Sequence, residues 1–476
     1  MNKPIKLLLS TDSPTIHTGL AETTRLVFNR LLEKYPGKYE IEQIGWFHNP
    51  KGPEKANWKI YQTTTKNGQY IPEDRYSQHT FEKHLTESKP DIVYCNGDLW
   101  CFEHILNSPA RNTFRFCAYY TIDGAPYWGN GFEPNKYTDW GSKLSRADEV
   151  VVLSEFGKET LQGSMPEMAN RNVEIIYHPT DTDRFKPKTP EEIIDFRKDR
   201  YGDEIPAEDF ILGWIGRNQF RKQNYKLWET LHHIMHGDYI QCNDCGRVTR
   251  EEFDRTTCKP REIGRLRLYE PDYDYSHCWH CKSENIVKAE PINDFWLWTH
   301  MNKQDPGWRI NDHTAMWGIQ DRLLYTPGIT PAQGMPPEEL AELISSWDGM
   351  LYLSGGEGFG IPAFEAMLSG IPVIYSNYSS HADFSQHGGL PVRCDMIPEL
   401  NFGINRALAD VNHAIEQCLW AYNNRKEFKE LGLKGRKWAE QKTLDLIVDQ
   451  WDQVFSRMMT KPIATQSTER IFAESV

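Results

Sequence analysis

A glycine-rich run in the last third of the chain carries the residues best suited to chemistry. It reads Ser-Gly-Gly-Glu-Gly-Phe-Gly-Ile-Pro from Ser354 onward and continues to Glu365. The pattern predicts a strand, a glycine turn and then a helix that begins near Pro362, because proline is favoured in the first helical turn. Glycines let the backbone approach a ligand closely, and the free amides at a helix start favour an anion such as phosphate.

Glu365 lies about one turn into that predicted helix. A carboxylate in this position can accept hydrogen bonds from two hydroxyl groups of a ribose or another sugar. The alternative is structural: the glycines only form a turn, and the negative charge of Glu365 only stabilises the start of the helix. The spacing leaves both interpretations open.

A second segment, from Gly213 to Asn224, places basic residues directly after a predicted strand. In α/β proteins, ligands bind beyond the carboxyl ends of the strands. Arg217 and Lys222 are five positions apart across a turn, so both can reach one diphosphate, the arginine as a fork and the lysine as a point charge. The alternative is a solvated basic loop without a ligand.

Four of the ten cysteines have the spacing of a metal site. Cys242 and Cys245 form one CxxC pair, and Cys278 and Cys281 form the second pair after thirty-two intervening residues. Two such pairs predict one tetrahedral zinc ion per chain, bound by four thiolates. Four thiolates leave no coordination position for water, so we expect the zinc to be structural. A redox role is the weaker interpretation, because two pairs occur together.

The composition excludes several classes of protein. The chain has 476 residues, a formal net charge of −13 and a pI of about 5.7. This acidic balance argues against a protein that coats nucleic acid through bulk charge. No stretch approaches the ~18 consecutive apolar residues of a membrane helix, and the N-terminus lacks a signal-peptide pattern. We therefore expect a cytoplasmic protein without a membrane span.

Short apolar runs typical of buried strands recur along the chain, and helical spacing lies between several of them. These runs begin at positions 6, 91, 114, 148 and 173 in the first half, and at 210, 295, 349 and 371 in the second. Alternating strands and helices predict an α/β fold with mostly parallel sheets covered on both faces. The pattern restarts at position 210, which predicts two such units.

The length also agrees with more than one domain. We expect an N-terminal domain over residues 1–190 and a C-terminal domain over 206–443, joined by a linker at about 186–205 that is rich in Pro, Lys, Asp and Glu. The cysteine pairs fall in an insertion, 237–292, which is best interpreted as a small domain on a loop. Residues 444–476 are expected to form a helix that returns to the N-terminal domain, followed by a tail.

Together these segments resemble the retaining family-4 glycosyltransferases of the GT-B fold, relatives of glycogen and sucrose-phosphate synthases. Glu357 and Glu365 reproduce the family's two glutamates with seven residues between them, and Arg217 and Lys222 match its basic pair. Gly19, within the run His-Thr-Gly-Leu, lies in a loop like the one that approaches the phosphates from the N-terminal domain. The resemblance covers nearly the whole chain except the insertion, and it implies two Rossmann-like domains that face a cleft.

The resemblance implies roles for the matching residues. Glu357 is expected to contact the donor sugar, Glu365 the ribose, and Arg217 and Lys222 the diphosphate, whose growing negative charge they stabilise. Asp123, in the run Thr-Ile-Asp-Gly, takes the place of a histidine that many members have near the sugar. The implied catalytic residues are Asp123, Arg217, Lys222 and Glu357, and the implied donor-binding residues are Gly19, Arg217, Lys222, Glu357, Gly358, Phe359, Gly360 and Glu365.

The resemblance also implies the reaction. A sugar moves from a nucleotide-sugar donor, held mostly by the C-terminal half, to an acceptor hydroxyl, with retention of the anomeric configuration. In the front-face mechanism of such enzymes the leaving phosphate helps to deprotonate the acceptor. Two Asp-x-Asp runs, 181–183 and 272–274, lie in a domain junction and in the insertion, so neither is placed to bridge a metal ion to the diphosphate. We therefore expect no catalytic metal.

The residue pattern leaves the acceptor and the oligomeric state open. A carbohydrate, a lipid, a small molecule, a protein or a hydroxylated DNA base, as in bacteriophage glycosyltransferases, would each suit the family. Arg261, Arg265 and Arg267 stand near several tyrosines of the insertion, a combination that can bind single-stranded nucleic acid but that more often packs a small zinc fold. A competing hypothesis is a non-catalytic nucleic-acid-binding protein that uses the zinc module. The intact set of donor-site residues argues against it.

Overall fold

The computed structural model describes residues 3–16, 18–52, 56–69, 71–126, 140–202, 205–250, 253–254, 259–260, 277–278, 280–329, 334–399 and 403–463. The arginines at 261, 265 and 267, the tyrosines near them, the 272–274 run and the tail from 464 lie outside the described residues. In the part of the chain that is described, no helix combines the length and the apolar character needed to cross a membrane.

The N-terminal half forms a seven-stranded parallel sheet with the strand order β3-β2-β1-β4-β5-β6-β7. Apolar residues on both faces of the central strands, such as Leu7 and Leu8 on β1, are fully buried, as expected of a sheet covered on both sides. The strands are β1 (Ile5–Asp12), β2 (Tyr39–Trp46), β3 (Lys59–Gln62), β4 (Ile92–Gly97), β5 (Arg115–Tyr120), β6 (Glu149–Val152) and β7 (Glu174–Ile175). The helices are α1 (Gly19–Lys34), α2 (Phe81–Ser88), α3 (Leu99–Leu106), α4 (Trp140–Ser145) and α5 (Glu155–Ser164).

The segment expected to be a linker contains a helix, α6 (Pro190–Tyr201), which the sequence analysis did not predict. Thr189 and Glu192 form a reciprocal capping box at its start, which stabilises the first turn in spite of the polar composition. The Arg197 Nη2 of this helix donates to Asp348 Oδ2 at 2.8 Å and fixes α6 to the C-terminal half. The run Thr-Pro-Glu-Glu at positions 189–192 is typical of a helix start, but the polar residues around it favoured the interpretation as a linker.

The C-terminal half forms a second parallel sheet, of six strands in the order β15-β14-β8-β16-β17-β18. Its strands are β8 (Phe210–Ile215), β14 (Phe295–His300), β15 (Leu323–Tyr325), β16 (Gly349–Tyr352), β17 (Val373–Ser376) and β18 (Gly389–Val392). Its helices are α7 (Asn224–His236), α8 (Ile310–Trp317), α9 (Pro337–Ser345), α10 (Ile361–Leu368), α11 (Ser380–Ser385), α12 (Val411–Asn423) and α13 (Arg425–Ala439). The strands expected from the apolar runs are all present.

The other strands, β9–β13 and β19–β20, lie outside the two large sheets. The insertion contributes β9 (Tyr239–Cys242), β10 (Val248–Arg250), β11 (Phe253–Asp254), β12 (Lys259–Pro260) and β13 (Ile286–Lys288), and β9 lies between β10 and β13 in an antiparallel sheet. Glu416 of α12 accepts the backbone N–H of Val248 at 2.9 Å and so anchors this sheet to the C-terminal half. A separate antiparallel hairpin, β19 (Cys394–Glu399) with β20 (Ile404–Ala409), follows β18.

The last helix, α14 (Leu444–Thr460), packs on the N-terminal half. Arg30 of α1 donates to the two carboxylate oxygens of Asp445 at 2.6 and 3.2 Å. On its apolar side, Trp451 is buried and meets Tyr94 of β4 edge to face, with ring centroids 5.2 Å apart. The chain therefore crosses between the two halves twice, once before α6 and once before α14.

Candidate active site between the two sheets

The glycine-rich run forms the loop between β16 and α10, at the carboxyl edge of the C-terminal sheet. Gly360 has φ +98°, in the left-handed region that glycine adopts without strain, and α10 begins at the next residue. A Cβ atom at Gly356 would lie 2.1 Å from the carbonyl oxygen of Asp123, and one at Gly358 would lie 2.1 Å from Thr121 Cγ2. The loop therefore touches the N-terminal half directly, and only glycine fits at the contact.

Glu357 of this loop is buried and has three hydrogen-bond donors around its carboxylate. They are Lys222 Nζ, the hydroxyl of Tyr352 at 3.0 Å and Arg221 Nη1 at 3.3 Å. The Glu357 amide donates to Ser379 Oγ at 2.9 Å, which fixes the backbone as well. Burial opposes ionisation of this carboxyl, but the charges of Lys222 and Arg221 outweigh it and hold the pKa of Glu357 well below its usual range.

The two cations beside Glu357 come from the turn after β8. Lys222 is buried, and burial lowers the pKa of its ammonium group to about 8 although Glu357 opposes the shift. Arg221 also donates to the carbonyl oxygen of Gly356 at 2.7 Å, so it supports the glycine loop from below. Arg221 was not singled out from the sequence, although its position next to Lys222 in one turn was an available signal.

Arg217 is held apart from this pair. Its Nε and Nη2 donate to the two carboxylate oxygens of Asp305 at 3.0 and 3.1 Å, and its side chain is 63% exposed. Asp305 follows β14 and was not singled out from the sequence. Of the two expected diphosphate ligands, the structure brings Lys222 to Glu357, and it leaves Arg217 on the exposed rim with Nη1 without a partner among the residues that are described.

Glu365 is half-buried and lies one turn into α10. Its carboxylate makes no hydrogen bond or ion pair with any residue in the described ranges. Burial raises the pKa of Glu365 to about 8, and the charge of Arg184 lowers it only in part. A carboxyl group without a protein partner at this point is free to bind hydroxyl groups of a ligand.

Gly19 reaches the same place from the N-terminal half. Thr18 caps α1 by accepting the Ala21 amide at 3.1 Å, so the helix begins at Gly19. A Cβ atom at Gly19 would lie 2.7 Å from Ile361 Cδ1, at the first residue of α10. The N-termini of α1 and α10 are thus brought together across the cleft, and both present free amides there.

The side chain of Phe359 is buried, although the resemblance implied that this residue contacts the donor. Its ring packs against Phe364 and Phe384, with centroids 5.4 and 5.1 Å apart, and against His178 at 5.3 Å. Burial lowers the pKa of His178 to about 3, so this imidazole is neutral at pH 7. Only the Phe359 backbone can face a ligand, while its side chain stabilises the loop.

Asp123 follows β5 and is bound by a residue of the β19–β20 hairpin. Arg406 Nη1 donates to the Asp123 carbonyl oxygen at 2.8 Å and forms an ion pair with its Oδ2 at 2.9 Å. Asp98, after β4, lies on the same side of the cleft; burial, together with the charge of Asp123, raises its pKa to about 7. Neither Arg406 nor Asp98 was singled out from the sequence. The available signal for Asp98 was an acid directly after a buried strand.

The four cysteines of the insertion come together as their spacing predicted. Their sulfur atoms all lie within 4.8 Å of one another, and the Cys242–Cys281 and Cys245–Cys278 sulfurs are each 3.6 Å apart. Each pair closes an equivalent turn, in which the amide of Gly246 or Lys282 donates to the carbonyl of Cys242 or Cys278 at 2.9 Å. A tetrahedron with metal–sulfur bonds of ~2.3 Å has sulfur–sulfur edges of roughly 3.8 Å, so these residues can hold a metal ion.

Comparison with solved structures identifies the arrangement of the two sheets. Sucrose-phosphate synthase from Thermosynechococcus elongatus superposes with a TM-score of 0.65 at 15% identity, over 96% of this chain and 100% of the other. HepE from Anabaena, in complex with UDP and glucose, superposes with a TM-score of 0.58 at 13% identity, over 95% and 99% of the two chains. At these identities the likeness shows the fold, which is GT-B.

Comparison of sequences adds a local match in the C-terminal half. Residues 323–426, which contain Glu357, Glu365 and the hairpin, match the family described as Glycosyl transferases group 1. O-antigen chain mannosyltransferase B from Escherichia coli is 29% identical over 104 residues, which are 22% of this chain and 27% of that protein. The chain thus has the GT-B fold, and residues 323–426 of its C-terminal half are similar to the glycosyl transferases group 1 family.

Proposed function

We propose that this protein is a glycosyltransferase that moves a sugar from a nucleotide-sugar donor to an acceptor hydroxyl with retention of the anomeric configuration. The observation that carries the proposal is Glu365, an unpartnered carboxyl group one turn into α10, directly after a glycine loop fixed by the Glu357–Lys222 pair. HepE, whose structure contains UDP and glucose, has the same fold and supports a UDP-sugar as the first donor to test.

In this proposal the donor lies across the N-terminus of α10. The carboxyl group of Glu365 binds the ribose hydroxyls, and the amides at Gly358 to Gly360 and the N-terminus of α1 at Gly19 bind the diphosphate. Lys222 and Arg217 stabilise the negative charge that grows on the leaving phosphate. Arg217 uses the nitrogen that Asp305 leaves free, so its role requires no break of the Asp305 pair.

The acceptor enters from the N-terminal side, where Asp123 and Asp98 follow neighbouring strands. Asp123 has a catalytic role in contact with the reacting sugar. The proposal includes no catalytic metal: Asp181, the first residue of one Asp-x-Asp run, accepts the backbone amides of Asp183 and Arg184 at 3.1 and 3.0 Å and forms a local turn. The metal proposed for the chain is one structural zinc ion at Cys242, Cys245, Cys278 and Cys281.

A donor panel tests this function. UDP-, GDP-, ADP- and TDP-sugars are scored by thermal stabilisation and by hydrolysis, followed by transfer to glycan, lipid, small-molecule and hydroxymethylated-DNA acceptors. Glu365→Ala is expected to weaken nucleotide binding by about 1–3 kcal/mol through lost hydroxyl hydrogen bonds. Glu339→Gln, at an exposed glutamate of α9, is the matched control and should bind like the parent. Equal binding by both variants and the parent would refute the ribose assignment, and no response to any donor would refute the function.

A further inference from the structure

The β19–β20 hairpin joins the two halves of the protein at the candidate active site. It belongs to neither of the two large sheets. At the start of β20, the amide of Asn405 donates to the carbonyl of Ala125 at 3.2 Å, so the hairpin pairs with the loop after β5. Tyr378 adds a second connection, because its hydroxyl accepts the Ala125 amide at 2.7 Å. The loop that carries Asp123 is thus attached to the C-terminal half.

Arg406 of β20 is the charged residue in this connection. Its side chain is 9% exposed, and its Nη1 contacts both the carbonyl oxygen of Asp123 at 2.8 Å and the Oδ2 of Asp123 at 2.9 Å. Its Nε donates to the Glu399 carboxylate of β19, and this second contact fixes the guanidinium on the side away from Asp123 Oδ2. A planar guanidinium between two acceptors has little freedom to turn. The orientation of the Asp123 carboxylate follows from that of Arg406.

Two further contacts determine which part of Asp123 remains available. A Cβ atom at Gly356 would lie 2.1 Å from the Asp123 carbonyl oxygen and 2.8 Å from Arg406 Nη1. The glycine loop therefore covers one side of the Arg406–Asp123 pair. The Asp123 side chain is 27% exposed, and its Oδ1 has no hydrogen-bond partner among the described residues. Oδ1 is therefore the atom of this carboxylate that can meet a substrate hydroxyl.

We propose that Arg406 is a positioning residue that acts through Asp123 and couples domain closure to catalysis. Asp123 belongs to the N-terminal half and Arg406 to the C-terminal half, so the pair exists only while the two halves are closed on each other. When they separate, Asp123 loses the group that orients its carboxylate. The expected change in kcat rests on the proposed function, whereas the contact between Arg406 and Asp123 rests on the geometry alone.

The experiment compares Arg406→Gln, Arg406→Lys and Asp123→Asn with a matched control, Arg393→Gln. Arg393 precedes the same hairpin and pairs at 3.0 Å with Asp410, which caps the start of α12. Arg406→Gln is expected to lower kcat for transfer roughly 10- to 100-fold, as for other misplaced catalytic groups, with nucleotide affinity within about two-fold of the control. Arg406→Lys should regain part of kcat, because an ammonium group still pairs with one carboxylate oxygen.

A double-mutant cycle tests whether Arg406 acts through Asp123. In the Asp123→Asn background, Arg406→Gln should change kcat by less than about three-fold, because the group it orients is already disabled. If the loss of kcat in the double variant equals the product of the two single-variant losses, the proposal is wrong. A kcat for Arg406→Gln equal to that of Arg393→Gln would also overturn it.

Amide hydrogen exchange gives a readout without any substrate. Arg406→Gln should accelerate exchange at Gly124 and Ala125, and Arg393→Gln should not, because Arg406 contacts the neighbouring Asp123 whereas Arg393 pairs with Asp410. Unchanged exchange in Arg406→Gln would overturn the proposal whatever the enzyme transfers. If the parent uses no donor while exchange responds as expected, the proposed function fails and the positioning contact stands.

Discussion

Thr121 lies against Gly358 so closely that a Cβ atom at the glycine would be 2.1 Å from the threonine Cγ2. One residue follows a strand of the N-terminal sheet, and the other belongs to the glycine loop of the C-terminal sheet. Their contact joins the two halves where the donor is proposed to bind. The absence of a side chain at position 358 thus permits this contact, and in the proposed function it also lets the donor approach the loop.

Replacing Gly358 with Ala is therefore expected to hinder closure. Turnover should fall at least about tenfold, since a displaced loop misaligns the reacting groups, whereas the melting temperature should change little because the strands of both sheets keep their buried contacts. Gly163→Ala is the control, because a Cβ atom there meets nothing within 4 Å.

The same clash offers a test by rescue. Thr121→Ser removes the Cγ2 methyl group, so the double variant Gly358→Ala/Thr121→Ser should recover part of the lost turnover, and X-ray scattering should show it more compact than Gly358→Ala with nucleotide bound. Turnover in Gly358→Ala equal to that of Gly163→Ala would contradict the assignment.

The raised pKa of Glu365 predicts that nucleotide binding depends on pH. With a pKa of about 8, roughly one molecule in ten carries the carboxylate at pH 7. If the carboxylate is the form that accepts two ribose hydroxyls, affinity should rise up to about tenfold between pH 7 and 9, with proton release on binding at pH 7. Calorimetry in buffers of different ionisation enthalpy measures both effects. Glu365→Gln should remove both; a pH dependence retained in that variant would assign them to another group.

Glu365 also predicts how stability varies with pH. Its pKa is higher in the folded protein than the ~4.3 of an exposed glutamate, so the folded state binds this proton more tightly than the unfolded chain. That contribution to stability is complete at low pH and is lost as the pH rises through the range from ~4.3 to about 8. Between pH 6 and 9 the melting temperature of the parent should fall more than that of Glu365→Gln. An equal fall in melting temperature for the two proteins would contradict the raised pKa of Glu365.

The buried Lys222–Glu357 pair predicts strong coupling in stability. Lys222→Met leaves a buried carboxylate without its nearest cation and should lower the free energy of unfolding by about 3–5 kcal/mol. The double variant Lys222→Met/Glu357→Gln should be more stable than Lys222→Met, because the unpaired charge is gone, although both lose activity. Denaturant unfolding of the four proteins in the cycle measures the coupling. Additive losses would indicate that the pair is not formed in solution.

The four-cysteine cluster predicts one zinc ion per chain. Cys245→Ser should lower the zinc content of purified protein from about one per chain towards zero, because a site of four thiolates tolerates the loss of one poorly. Cys394→Ser, at a half-buried cysteine outside the cluster, is the control and should keep its metal. Mass spectrometry of the native protein gives the stoichiometry. A folded parent without metal, or disulfides within the cluster, would contradict the prediction.

Local patterns were enough to predict the most apolar strands, the glycine loop and the cysteine cluster, but not the strands β2, β3, β15 and β18. Buried parallel strands are continuous apolar runs, so runs such as the one that became β14 are visible without any partner. The cysteine cluster was predictable because each CxxC pair makes its turn from adjacent residues, so the sequence spacing already groups the four thiols into two pairs. The α6 helix was missed because its capping residues lie in a polar segment that is typical of a linker.

The partners of the charged residues were not predictable in this way. Arg221, rather than Arg217, joins Lys222 at Glu357, and Arg406 meets Asp123 across 283 positions of the chain. Spacing identifies which residues follow a strand, but the packing of the two sheets determines which side chains meet between them. Those contacts depend on distances of a few ångströms between segments far apart in sequence. Residue types were therefore enough to nominate candidate site residues, while the pairing of those residues depends on how the two halves pack together.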